Sequence, residues 1–68
     1  MNNKILKQIK YCREQKGMSL NELSLKSDVS YSYLLQLEKG LKTNPSLDIL
    51  EKISNALDID ITFLFINN

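Results

Sequence analysis

The sequence predicts an all-α domain of five short helices, and three observations carry that reading. Apolar residues recur three and four apart, as in Ile5, Ile9 and Cys12 or Leu50, Ile53 and Leu57, which is the spacing that lines one face of a helix. Residues that start and stop helices stand between these runs: Ser19, Ser30 and Ser46 as N-caps, Gly17 and Gly40 as ends. No stretch alternates apolar and polar residues as a half-buried strand does, and there is no repeat or low-complexity segment.

The first helix is expected over about residues 3–16. Ile5, Ile9 and Cys12 form its apolar stripe, so Cys12 reads as a small core residue. Lys4, Lys7, Lys10, Arg13 and Lys16 occupy the other faces, and Gly17 stops the helix. Ser19 with Glu22 three residues on forms a capping box, and a second helix follows to Ser27. Asp28 sits where the chain turns and tolerates positive φ better than most residues. Val29 plugs the corner, Ser30 caps a third helix over 31–39, and Gly40 ends it. So short a joint forces the two helices to cross steeply, giving a helix-turn-helix at about 20–39.

Leu23, Val29, Leu34 and Leu37 point inward in this reading. Tyr31, Ser32 and Gln36 fall on the opposite side. Hydroxyls and an amide on an outward face suit the reading of base edges, and they equally suit an ordinary solvated face. Pro45 biases Asn44 away from helical backbone, so 41–46 is a loop. Ser46 then caps a fourth helix over 47–57, with Leu47, Leu50, Ile53 and Leu57 inward and Asp48 in the first turn. Asp58 breaks it at a second place suited to positive φ. Asp60 caps a last helix from Ile61 to about Phe65, and Asn67 and Asn68 are expected to fray.

Sixty-eight residues make one domain, 1–68, with a thin core that help from a second subunit would complete. An apolar content of 43 % suits a folded chain. No apolar run approaches the roughly 20 residues of a membrane span, and no signal-peptide core precedes the first helix. The lone Cys12 has no partner in the chain, which fits a reducing cytoplasm. Catalysis finds little to work with. There is no His, no Cys/His cluster for a metal and no phosphate-cradling glycine loop, and Asp58 and Asp60 look like caps. The expectation is a non-enzyme with no cofactor, no metal, no small-molecule substrate and no membrane. Charge is unevenly spread: residues 1–43 carry eight basic and four acidic side chains (+4), residues 44–68 one basic and four acidic (−3). The half with the helix-turn-helix is the half suited to a polyanion.

With these residues in place, the chain resembles the lambda-repressor-like (Xre-type) helix-turn-helix family, and within it the DNA-binding domain of SinR-type regulators of Gram-positive bacteria. The likeness runs from about Ile5 to Phe65. It is carried by Ile9 through Arg13, Gly17-Met18-Ser19-Leu20 with Glu22-Leu23, Ser32-Tyr33-Leu34, Leu37-Glu38, and above all Leu41-Lys42-Thr43-Asn44-Pro45-Ser46 followed by Leu50-Glu51-Lys52-Ile53. The resemblance implies a sequence-specific transcriptional regulator of double-stranded DNA, a repressor, from a bacterium, phage or mobile element. Helix 31–39 would enter the major groove. Tyr31, Ser32 and Gln36 match base-contacting positions. Tyr33, Lys42, Thr43, Asn44 and Ser46 match groups that hold the sugar–phosphate backbone. Arg13 and Glu38 match a buried structural ion pair.

The chain departs from the family at several points. Leu20 stands where Gln often bonds a phosphate, a task left to Asn21 or to backbone N–H groups. Leu35 replaces a polar residue and either touches a thymine methyl or leans on the core edge. Asp28 and Asp58 stand where Gly is common. SinR-type proteins also carry a second, oligomerising domain. A chain ending at Asn68 reads as a stand-alone regulator or as a fragment of a longer one. The family implies a homodimer on a palindromic operator, and the apolar C-terminal residues Ile59, Ile61, Phe63, Phe65 and Ile66 are its expected interface. A protein antagonist is the expected source of any signal. The competing reading is a protein-interaction module, such as an antitoxin or an antirepressor-binding domain.

Overall fold

A computed structural model describes residues 3–42 and 44–65. Four α-helices follow in order: α1 (Asn3–Gln15), α2 (Leu20–Ser27), α3 (Tyr31–Glu38) and α4 (Leu47–Leu57). The fifth element, Ile61–Phe65, is a 3₁₀ helix where an α-helix was expected. Isoleucine, threonine and two phenylalanines fill four of its five positions, and such side chains lose χ1 freedom in an α-helix. So short a run of them settles into the tighter turn. The Asp60 carboxylate starts it, with one oxygen accepting from the Thr62 N–H (2.9 Å) and hydroxyl (2.8 Å). These bonds hold Asp60 below the usual carboxylate range.

The helix ends are built as the sequence dictates. Ser19 and Glu22 exchange both capping-box bonds, each 3.0 Å. At Gly17 (φ +64°) the Gly17 N–H reaches the Glu14 carbonyl and the Met18 N–H the Arg13 carbonyl, a Schellman closure. Asp58 (φ +56°) closes α4 in the same way, with its N–H on Asn55 and that of Ile59 on Ser54.

The core is one cluster fed by every element. Ile9, Leu23, Leu34, Leu37, Ile53, Leu57 and Leu64 are all below 2 % exposed, with Leu6, Cys12, Val29 and Leu50 around them. Cys12 is the small core residue expected, and burial pushes its thiol pKa up while Lys16 opposes the shift. α2 packs on α4 and α3, while α1 packs on α3 and the 3₁₀ helix.

Two inward assignments change, and one core residue is added. On α1, Leu6 is buried, whereas Ile5 is half-buried against the cluster. On α4, Leu47 is 61 % exposed, and Ile49 packs on the core in the first turn. At about 100° per residue, Leu47 lies roughly 100° from the line through Ile53 and Leu57 that faces the core. Leu64, fully buried, closes the bottom of the cluster, and no stripe pointed to it. The expectations for Thr43, Ile66, Asn67 and Asn68 lie outside the described residues.

Candidate nucleic-acid interface

The two helices of the motif are locked together by serine hydroxyls. Asp28 takes the left-handed conformation (φ +61°), and its N–H returns to the Ser24 carbonyl at 3.0 Å. Ser24 Oγ then donates to the Val29 carbonyl (2.7 Å), while Ser27 Oγ accepts the Val29 N–H (3.2 Å). Val29 is thereby fixed by both of its backbone groups and drives its side chain into the core. Ser30 caps α3 by accepting the Tyr33 N–H at 3.1 Å.

The pitch of α3 decides what faces out. Leu34 and Leu37, each 1 % exposed, fix the inner side. Steps of about 100° then place Tyr31, Ser32, Leu35, Gln36 and Lys39 on one outward arc of roughly 140°. Tyr31 is 47 % exposed, Ser32 and Lys39 are exposed, and Leu35 and Gln36 are half-buried. The three expected base-reading residues therefore share one face. Leu35 sits near the middle of that face and outside the core cluster. Tyr33 lies at the edge of the arc, half-buried and packed on the core.

Beyond Lys39, the chain leaving α3 is tied back to the helix by two carbonyls, those of Gln36 and Leu37. Gln36 O accepts from Leu41 N–H (2.8 Å) and Lys42 N–H (3.1 Å), while Gly40 (φ +78°) returns its N–H to Leu37. Lys42 is thus positioned by the residue whose side chain is on the outward arc. Lys42, Asn44, Ser46 and Asn21 are all exposed. Ser46 Oγ accepts the Ile49 N–H at 3.2 Å as the α4 cap, which leaves its hydroxyl proton to donate to a further acceptor. Asp48 stands in that same first turn, pairing with Lys52 at 3.7 Å, and opposes an anion there.

Arg13 holds the motif to the rest of the domain. Its Nε and Nη2 donate to the two Glu38 carboxylate oxygens (2.8 and 3.0 Å), and Nη1 donates to the Met18 carbonyl (2.8 Å). The side chains are 14 % and 9 % exposed. The Glu38 hydrogen bond is the main cause that raises the guanidinium above its ordinary pKa. One side chain thus joins α1, the α1–α2 turn and α3.

Sequence reasoning missed the turn-locking role of Ser24 and Ser27 and the place of Lys39 on the arc. Stepping the helix angle through 31–39 would have found Lys39. Hydroxyl bonds across a turn leave no periodic signal. Of the expected interface residues, Ile59, Ile61 and Phe63 are half-buried against the core and Phe65 is 51 % exposed. A largely apolar hollow between Tyr11, Cys12, Ile59 and Phe63 adjoins them. No group of three or more His, Cys, Asp or Glu among the described residues is placed to hold a metal ion. No described helix is long and apolar enough to cross a membrane.

A helix-turn-helix family model (HTH_3) matches residues 9–64. The chain belongs to the helix-turn-helix family. Its helix-turn-helix relatives include the transcriptional regulator SlrR of Bacillus subtilis, 46 % identical over 57 residues (84 % of this chain, 38 % of SlrR). They also include SinR of the same organism, 49 % identical over 53 residues (78 % of this chain, 48 % of SinR). The chain therefore spans less than half the length of these curated relatives. The N-terminal DNA-binding domain of Bacillus subtilis SinR superposes with a TM-score of 0.91 at 42 % identity, covering 98 % of this chain and 97 % of that one. SinR in complex with DNA gives 0.87 at 45 % identity, over 91 % and 98 % of the two chains. The SinR–SinI complex gives 0.83 at 47 % identity, over 88 % and 58 %.

Proposed function

We propose that this chain is the DNA-reading part of a transcriptional repressor, seating α3 in the major groove of duplex DNA. The observation that carries the reading is the outward arc of Tyr31, Ser32 and Gln36 on a helix fixed from behind by Leu34, Leu37 and the Arg13–Glu38 pair. The likeness to a SinR structure solved with DNA supports it. In this reading Tyr31, Ser32 and Gln36 contact bases. Asn21, Tyr33, Lys42, Thr43, Asn44 and Ser46 hold the sugar–phosphate backbone.

A single α3 contacts few base pairs, so the reading includes a two-fold dimer on a palindromic site, with half-sites about 34 Å apart. Phe65, exposed beside the half-buried Ile59, Ile61 and Phe63, supports the C-terminal surface as its interface, with Ile66 as the next residue along. Sedimentation at tens of micromolar tests this part, and a monomer there removes it.

Selection of bound sequences from a random duplex pool tests the whole reading. A palindromic consensus is expected. Gln36→Ala then weakens the selected site by about 1–3 kcal/mol and relaxes one base pair, while Lys42→Ala weakens all duplexes alike. Equal effects of both substitutions on selected and random DNA remove the base-reading role of Gln36. The SinR–SinI complex supports a second reading, in which the main partner is a protein. Absence of duplex binding at low salt selects that one.

A further inference from the structure

A hollow between α1 and the end of α3 is lined by Lys7, Lys10 and Lys39, with Leu6, Glu38 and Gly40 completing it. All three lysines are exposed, and none forms a salt bridge among the described residues. Glu38 is the acid in that hollow, and both of its oxygens are already bonded to Arg13. The Glu38 charge is thus already matched by Arg13, and no ion pair among the described residues engages Lys7, Lys10 or Lys39. Lys39 also belongs to the outward arc of α3, so the charged hollow continues that face onto α1.

We propose that Lys7, Lys10 and Lys39 form a phosphate-binding patch that takes the sugar–phosphate backbone of the same duplex, alongside the groove that α3 enters. The inference rests on the DNA-binding reading above and extends its footprint to a helix outside the motif. Flexible point charges suit this task, because phosphates need to be neutralised and carry no base information.

The test uses the intact chain and a Lys7→Gln/Lys10→Gln double variant. Dissociation constants are measured on the selected duplex and on a scrambled one, across salt from about 50 to 300 mM. The double variant is expected to flatten the slope of log affinity against log salt by about 1.8, equally on both duplexes. Its order of base preference and its melting temperature should stay as they were. A Lys7→Arg/Lys10→Arg variant should keep the original slope, which separates charge from folding. An unchanged slope in the Gln variant, with the parent chain still selecting its site, overturns the patch and leaves the α3 reading standing. Failure of the parent chain to bind either duplex at low salt overturns both.

Discussion

Ser24 Oγ donates to the Val29 carbonyl oxygen at 2.7 Å, spanning the turn that joins the two motif helices. Because Val29 is also held by Ser27, the crossing of α2 and α3 is set by side-chain bonds as well as by packing. Ser24→Ala leaves the Val29 carbonyl without this partner in a partly buried place. The expected cost is about 1–2 kcal/mol, a fall of several degrees in melting temperature. A variant melting with the parent would show that water replaces the bond without loss.

The Arg13–Glu38 pair uses both guanidinium edges, one for the carboxylate and one for Met18. Lysine keeps the charge and loses the fork. Arg13→Lys is therefore expected to lose most of what Arg13→Ala loses, about 3 kcal/mol at this degree of burial. Denaturant titration of both variants reads this directly. Parent-like stability in Arg13→Lys would reduce the pair to a matter of charge alone.

Asp58 closes α4 with φ +56°, a conformation that costs a residue bearing a Cβ. Asp58→Gly removes that strain and adds freedom to the unfolded chain, so the two largely cancel. Asp58→Ala keeps the Cβ and loses the local polar side chain, and it should be less stable than Asp58→Gly by about 1 kcal/mol. Equal melting of the Gly and Ala variants would contradict the left-handed closure.

Leu35 lies near the centre of the outward arc, outside the core cluster; in the proposed docking its aliphatic side chain would face a thymine methyl rather than a hydrogen-bonding edge. Replacing single thymines of the selected site by deoxyuridine removes that methyl. At one position the parent chain is expected to lose several-fold in affinity, and Leu35→Ala to be indifferent. Uniform indifference of the parent to all replacements would return Leu35 to a packing role.

Much of this architecture was legible because it is encoded locally. Ser19 and Glu22, Gly17, Gly40 and the two left-handed aspartates each act within a few residues, so their spacing is enough to place them. The inner side of α3 was equally clear, since Leu34 and Leu37 leave one face for burial. What escaped depends on where a helix is rotated against its neighbours. Leu6 displaces Ile5, and Ile49 displaces Leu47, because the buried line is turned from the one that apolar counting picks. Leu64 belongs to a 3₁₀ turn with no stripe to follow. The meeting of Lys7, Lys10 and Lys39 joins residues up to 32 positions apart and exists only once α1 lies on α3. The Arg13–Glu38 pair, 25 residues apart, came from family likeness and not from spacing.

The three-way grip of Arg13 also bears on how association proceeds. In the proposed docking, a helix already clamped to its scaffold would have little wandering to give up on contact, so the heat-capacity change of complex formation should reflect the dehydrated contact area with no added folding contribution. Calorimetry over a range of temperatures would then describe a rigid key meeting its lock.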